Sequence, residues 1–147
     1  MKTVSDTFSF QLSKAAFLLV ILLAFTACSP DTKITLECTS PDGQILASFY
    51  IYSGGGAAGY QLERVNIRES GNPFEPQSYV LELKDGYDIH LFWQAPLRLL
   101  VEYPSDARLD QAIPQYLVGG KAIEIHYRAL PSKNGLFLDG KTECMNT

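Results

Sequence analysis

The stretch Lys33 to Tyr52, KITLECTSPDGQILASFYIY, decides the fold class. Lys33 to Thr39 alternates, with Ile34, Leu36 and Cys38 on one face and Lys33, Thr35 and Glu37 on the other. A period of two marks a half-buried strand. Ser40-Pro41-Asp42-Gly43 then reads as a turn. Proline presets φ for the second turn position, and aspartate can bond its own backbone. From Ile45 the alternation resumes: Ile45, Ala47, Phe49 and Ile51 against Leu46, Ser48, Tyr50 and Tyr52. Both sets are largely apolar, which predicts a strand inside a sheet.

Working outward, Gly54, Gly55, Gly56, Ala57, Ala58 and Gly59 form the densest glycine run. It lacks the Lys-Ser/Thr of a phosphate loop and no helix signal follows, so it reads as a wide hairpin loop. Tyr60 to Arg68 returns as a strand with Val65 and Ile67 inward and Arg64, Asn66 and Arg68 outward. Glu69 to Ser78 holds Pro73 and Pro76 and reads as a loop. Tyr79 to Leu83 is a short strand, and Lys84-Asp85-Gly86 a turn. Asp88–Gln94 and Leu97–Tyr103 alternate around Ala95-Pro96, which predicts a hairpin with Trp93 in the core. Ser105 is placed to cap a short helix over Asp106 to Leu109 that Pro114 would end. Lys121 to Arg128 is the last clear strand. Six or seven short strands imply an all-β domain: an antiparallel meander forming a small sandwich or partial barrel.

The N-terminal end carries a different signal. Lys2 and Lys14 precede an unbroken apolar run, Ala15 to Ala24, extended by Phe25. It falls short of the roughly 20 apolar residues of a bilayer-spanning helix and suits the apolar region of a secretory signal. Thr26-Ala27-Cys28 after it resembles a bacterial lipobox, with Phe25 where the family usually has leucine. That resemblance implies cleavage before Cys28 and lipid on its sulfur. Ser29 in place of aspartate then points to the periplasmic face of the outer membrane. An ordinary signal-peptidase cut after Ala27 and a buried helix of a cytosolic domain are the alternatives. The expected organisation is a signal helix over 1–27, a polar tether over 28–33 and one β-domain over 34–147.

Three cysteines are present, Cys28, Cys38 and Cys144. With Cys28 lipidated, two remain, an even number for an oxidising compartment. They either bridge, closing a loop of roughly 105 residues, or stay unpaired and buried. Lys2 and Lys14 against Asp6 leave the leader at +1, so with −4 for the whole chain the remainder carries −5. A net-acidic domain without a Lys/Arg cluster argues against nucleic acid as a partner. Membrane contact is expected through the acyl chains on Cys28 instead.

SPDG at Ser40–Gly43, the apolar strand to Tyr52, the glycine loop, Val65-Asn66-Ile67 and the Trp93 hairpin together carry a resemblance. They resemble small bacterial lipoproteins and envelope proteins of the DUF5412-like kind, over about residues 38–103. The resemblance implies an envelope location and supplies no catalytic residues. The pairing of an early with a late cysteine is also similar to lipoprotein inhibitors of C-type lysozyme, which implies a periplasmic inhibitor or immunity protein as an alternative role.

Catalytic signals are thin. His90 and His126 fall on strands in phase with the mostly polar face, and Glu124 shares a side with His126. Two such ligands fall short of the three or four a metal needs. No G-x-S-x-G elbow occurs, and the carboxylates scatter over outward positions. The expectation is a non-enzymatic binding module without cofactor or metal. Tyr52, Gly54, Gly55, Gly56, Gly59 and Tyr60 are its candidate contact loop, facing a protein or envelope polymer, because tyrosine suits interfaces. Packing under a second layer is the competing account of Tyr50 and Tyr52.

Overall fold

The computed structural model describes residues 30–55, 59–139 and 142–146. The leader, Cys28 and Gly56 lie outside the described residues. Twelve strands are described: β1 (Asp31–Thr39), β2 (Ile45–Gly54), β3 (Tyr60–Glu69), β4 (Leu81–Lys84), β5 (His90–Ala95) and β6 (Arg98–Pro104) come first. They are followed by β7 (Arg108–Ala112), β8 (Gln115–Val118), β9 (Lys121–Leu130), β10 (Ser132–Lys133), β11 (Leu136–Phe137) and β12 (Glu143–Asn146). No helix occurs among the described residues.

Two five-stranded sheets hold most of the described residues. One has the order β1-β2-β3-β4-β7 and the other β12-β5-β6-β9-β8, with β10-β11 a separate small hairpin. Residues from both sheets share one apolar core. Phe49, Val65, Leu81 and Leu83 meet Ile89, Leu91, Trp93, Leu99, Val101 and Ile123 there, all shielded from solvent. The fold is therefore an all-β sandwich, and no barrel closes. Trp93 stitches the layers: its indole N–H donates to the Cys38 carbonyl at 2.9 Å. A buried indole N–H left unpaired would cost about 1–3 kcal/mol, so this bond helps to fix how the sheets meet.

Most pairs are antiparallel, as the alternation predicts, but β6–β9 and β12–β5 run parallel. The cause is chain crossing. After β6 the chain passes to the first sheet as β7 beside β4, then returns as β8, so β9 reaches β6 from the same end. The expected short helix after Ser105 is absent. Residues 108–112 pair with β4 instead, and that tertiary ladder overrides a weak local capping signal. Asp31 to Lys33, expected as tether, already belong to β1 and pair with Ser53, Tyr52 and Ile51. A bulge at Thr35 separates the pairs Ile34↔Tyr50 and Leu36↔Phe49. The extra residue turns Ile34 onto the outer face with Tyr50, away from Leu36 and Cys38.

Registers divide the sandwich into two ends. At the near end Asp31 pairs with Ser53 and the β2–β3 hairpin closes. The Asp85–Tyr87 turn is there too, bonded to the β10–β11 hairpin by Tyr87 N–H to Gly135 O at 2.8 Å. At the far end lie the Ser40–Gly43 turn, the Glu69 end of β3 and the Gly119-Gly120 turn of β8–β9. Ser70 N–H donates to Gln44 O at 2.9 Å there. Cys38 and Cys144 are bridged, with Cα atoms 5.6 Å apart, which ties β1 of one sheet to β12 of the other.

Candidate functional site

The candidate contact loop separates into a buried part and an exposed part. Tyr52 is buried, its hydroxyl accepting from Gln77 Nε2 at 3.0 Å. Its ring carries the Arg64 guanidinium 4.2 Å above the centroid, and Tyr79 faces the same cation at 4.0 Å. Each such contact contributes up to about 2 kcal/mol when desolvated. Tyr52 is thus a packing residue and leaves the contact surface. Tyr60 stays exposed, its ring lying against Gly54 and Gly55. A Cβ on Gly54 would meet the Tyr60 hydroxyl at 3.0 Å, so glycine is what lets the ring lie flat there.

Arg64 and Asn66, expected to face solvent, are buried. They do lie on the outer face of β3, but residues 70–80 fold back over it. Phe74 sets its ring edge-on to Tyr50 at 4.9 Å, and Tyr50 donates to Pro76 O at 2.7 Å. Arg64 pairs with Glu82 at 2.6 Å. Burial alone would lower the guanidinium's pKa, but the Glu82 carboxylate outweighs it and raises the value. Burial drives the Tyr50 hydroxyl far above its ordinary range. Strand alternation carries no trace of such a roof, because it reports faces and not what covers them.

Where this roof reaches β8, a groove of about 320 Å³ opens at the far end. Asn66, Arg68 and Glu69 form its β3 wall, Asn72 and Glu75 the roof side, and Tyr116 and Leu117 the β8 wall. A polar chain runs beneath it. Glu37 Oε1 accepts from Arg68 Nη2 at 2.6 Å, and Arg68 Nη1 donates to Ser48 Oγ at 2.6 Å and Asn66 Oδ1 at 3.1 Å. Asn66 Nδ2 donates to Ser78 O at 2.6 Å, and the Ser78 and Tyr116 hydroxyls meet at 2.6 Å. The Arg68 hydrogen bond, opposed by burial, holds the Glu37 carboxyl below its usual range. Leu117 at the rim is 70% exposed. The residues and their spacing gave no sequence signal, since β3, the roof and β8 lie far apart in the chain.

The histidines part company. His126 is exposed, with Nε2 2.7 Å from Glu124 Oε1, as their shared side suggests. His90, expected at the surface, is buried. Its Nδ1 lies 2.9 Å from Glu102 Oε2 and its ring 4.3 Å from that of Phe137. Arg128 Nε donates to the other Glu102 oxygen at 2.7 Å. Burial would raise the Glu102 pKa, but His90 and Arg128 together hold it below the ordinary carboxylate value. No group of three or more His, Cys, Asp or Glu able to hold a metal ion occurs among the described residues. Comparison with protein-family models, curated proteins and solved structures finds no match to this chain.

Proposed function

We propose that the chain is an envelope lipoprotein, acylated on Cys28 after removal of residues 1–27, that works by binding another macromolecule and performs no turnover. The observation that carries this reading is the bridge between Cys38 and Cys144. It uses both other cysteines and leaves Cys28, directly after an apolar leader, as the one thiol free for lipid. A bridged pair also suits an oxidising compartment. The far-end groove is the proposed contact surface. Its walls offer amide, carboxylate, guanidinium and hydroxyl groups around one exposed leucine, a mixture suited to a polar polymer or a protein rim.

Metabolic labelling with palmitate tests the anchor. Label is expected on the wild-type protein and not on Cys28→Ala, which should leave the membrane fraction. A Cys28→Ala protein that still partitions with membranes overturns the reading. A photo-crosslinker at Leu117 should capture a partner in intact envelopes, and one at Lys33 should not. Capture of a lysozyme or an envelope toxin would select the inhibitor role among binding functions.

A further inference from the structure

We propose that the near end of the sandwich is a membrane-facing surface, its exposed apolar side chains seated in the lipid–water boundary. This rests on the reading of Cys28 as the lipid-bearing residue. Pro30 is the first described residue, and its Cα lies 3.5 Å from where a Cβ on Gly54 would stand. The chain therefore arrives at the near end. Only Ser29 separates Pro30 from Cys28, so the two Cα atoms are at most about 7 Å apart. With so short a link, acyl chains embedded in the bilayer hold this end, and no other, against the headgroups.

The near end is built for such contact. Tyr60 and Tyr87 are each 45% exposed, Leu136 47% and Leu138 72%. Registers bring them together. Leu83 pairs with Glu63, three residues along β3 from Tyr60, so the turn bearing Tyr87 closes beside the β2–β3 hairpin. The β10–β11 hairpin that presents Leu136 is bonded to Tyr87 through Gly135. A largely apolar hollow of about 280 Å³ adjoins them, lined by Leu130, Pro131, Phe137 and Leu138 with Asp139 as its one carboxylate. Exposed tyrosine and leucine without a basic cluster suit insertion at an interface by apolar burial and not by charge. Asp31, Asp85, Asp106, Asp110 and Asp139 are exposed at this end against Lys33, Arg108 and Lys133, so it presents no excess of positive charge. Zwitterionic headgroups are therefore the fitting surface, and an anionic lipid gains nothing.

The test uses the lipidated protein, reconstituted in phosphatidylcholine vesicles whose acyl chains carry bromine close to the glycerol. Trp93, the only tryptophan, is fully buried and gives an unquenched baseline. Indole is introduced at exposed sites, Leu138→Trp and Tyr60→Trp at the near end and Leu117→Trp at the far end. The two near-end variants should lose most of the added emission, and Leu117→Trp should keep it. Flotation of the vesicles separates the two readings. Protein that does not float takes down the lipid anchor and this proposal with it. Protein that floats with Leu138 and Tyr60 indoles unquenched, or with the Leu117 indole quenched equally, leaves the anchor standing and overturns the membrane-facing end alone.

Discussion

Replacing Cys144 by serine removes one covalent link and little else. Cys144 is exposed, so the smaller, more polar side chain meets water, whereas Cys38 is only 2% exposed and would leave a defect in the core. The bridge spans 106 positions of sequence. In the chain-entropy account a loop of that length restricts the unfolded chain by about 4.7 kcal/mol. Against a total of about 5–15 kcal/mol for a domain, that is between a third and most of the stability. With a urea dependence near 1.5 kcal/mol per molar, the midpoint should fall by about 3 M. Intrinsic fluorescence of Trp93 reports the transition directly, because its indole sits between the sheets. Wild-type protein unfolded in the presence of reductant should give the same midpoint as Cys144→Ser. A shift below about 0.5 M in both would refute the reasoning: the cross-link would then constrain an unfolded chain already compact, or strain the folded one by as much as it gains.

Three further outcomes follow from single side chains. Glu63 is 1% exposed with Oε2 unpartnered, and burial raises its pKa. Its ionisation therefore opposes folding above the unfolded carboxylate value, so Glu63→Met should stabilise by about 1 kcal/mol at pH 7, with the gain vanishing near pH 4 in parallel urea titrations. Glu102 has the opposite sign: its depressed pKa contributes stability above the ordinary carboxylate range that disappears as pH falls through the folded value. Glu102→Gln should cost about 3 kcal/mol at neutral pH, and the gap from wild type should close in acid. Gly43 and Gly135 share φ near +75°, at 75° and 73°, but a Cβ at Gly43 meets open space and one at Gly135 falls 2.1 Å from the Asp85 carbonyl oxygen. Gly43→Ala should cost about 1 kcal/mol and Gly135→Ala more than about 3, read as the difference between their thermal midpoints.

The first sheet was largely legible because its signals are local. The SPDG turn forms as read, with Ser40 Oγ bonded to Asp42 Oδ1 at 2.6 Å and Gly43 N–H to Ser40 O at 2.9 Å. β2 is interior, flanked by β1 and β3, as its two apolar faces require. Trp93 was placed correctly in the core by hairpin alternation. Ile34 was misplaced because one residue, Thr35, bulges out of register. His90 and Arg64 were misread for another reason. Each is a polar residue at an outer position, covered by a segment distant in sequence, Phe137 over one and Tyr79 over the other. The far-end groove was illegible for the same reason, and so were the parallel pairs, which depend on where the chain crosses between layers.

The position of the cystine also governs how the domain answers a pull. Traction on residue 28 would load β1 at its Asp31 end, and opening of the ladder to β2 would begin at Asp31↔Ser53. That peeling reaches Cys38 and stops, because the force there passes through sulfur into β12. Seven residues freed, Asp31 to Glu37, at about 3.3 Å each would lengthen the leash by about 23 Å. The rest of the sandwich would remain intact on its longer leash, a reserve of slack set by where the first sulfur sits along the strand.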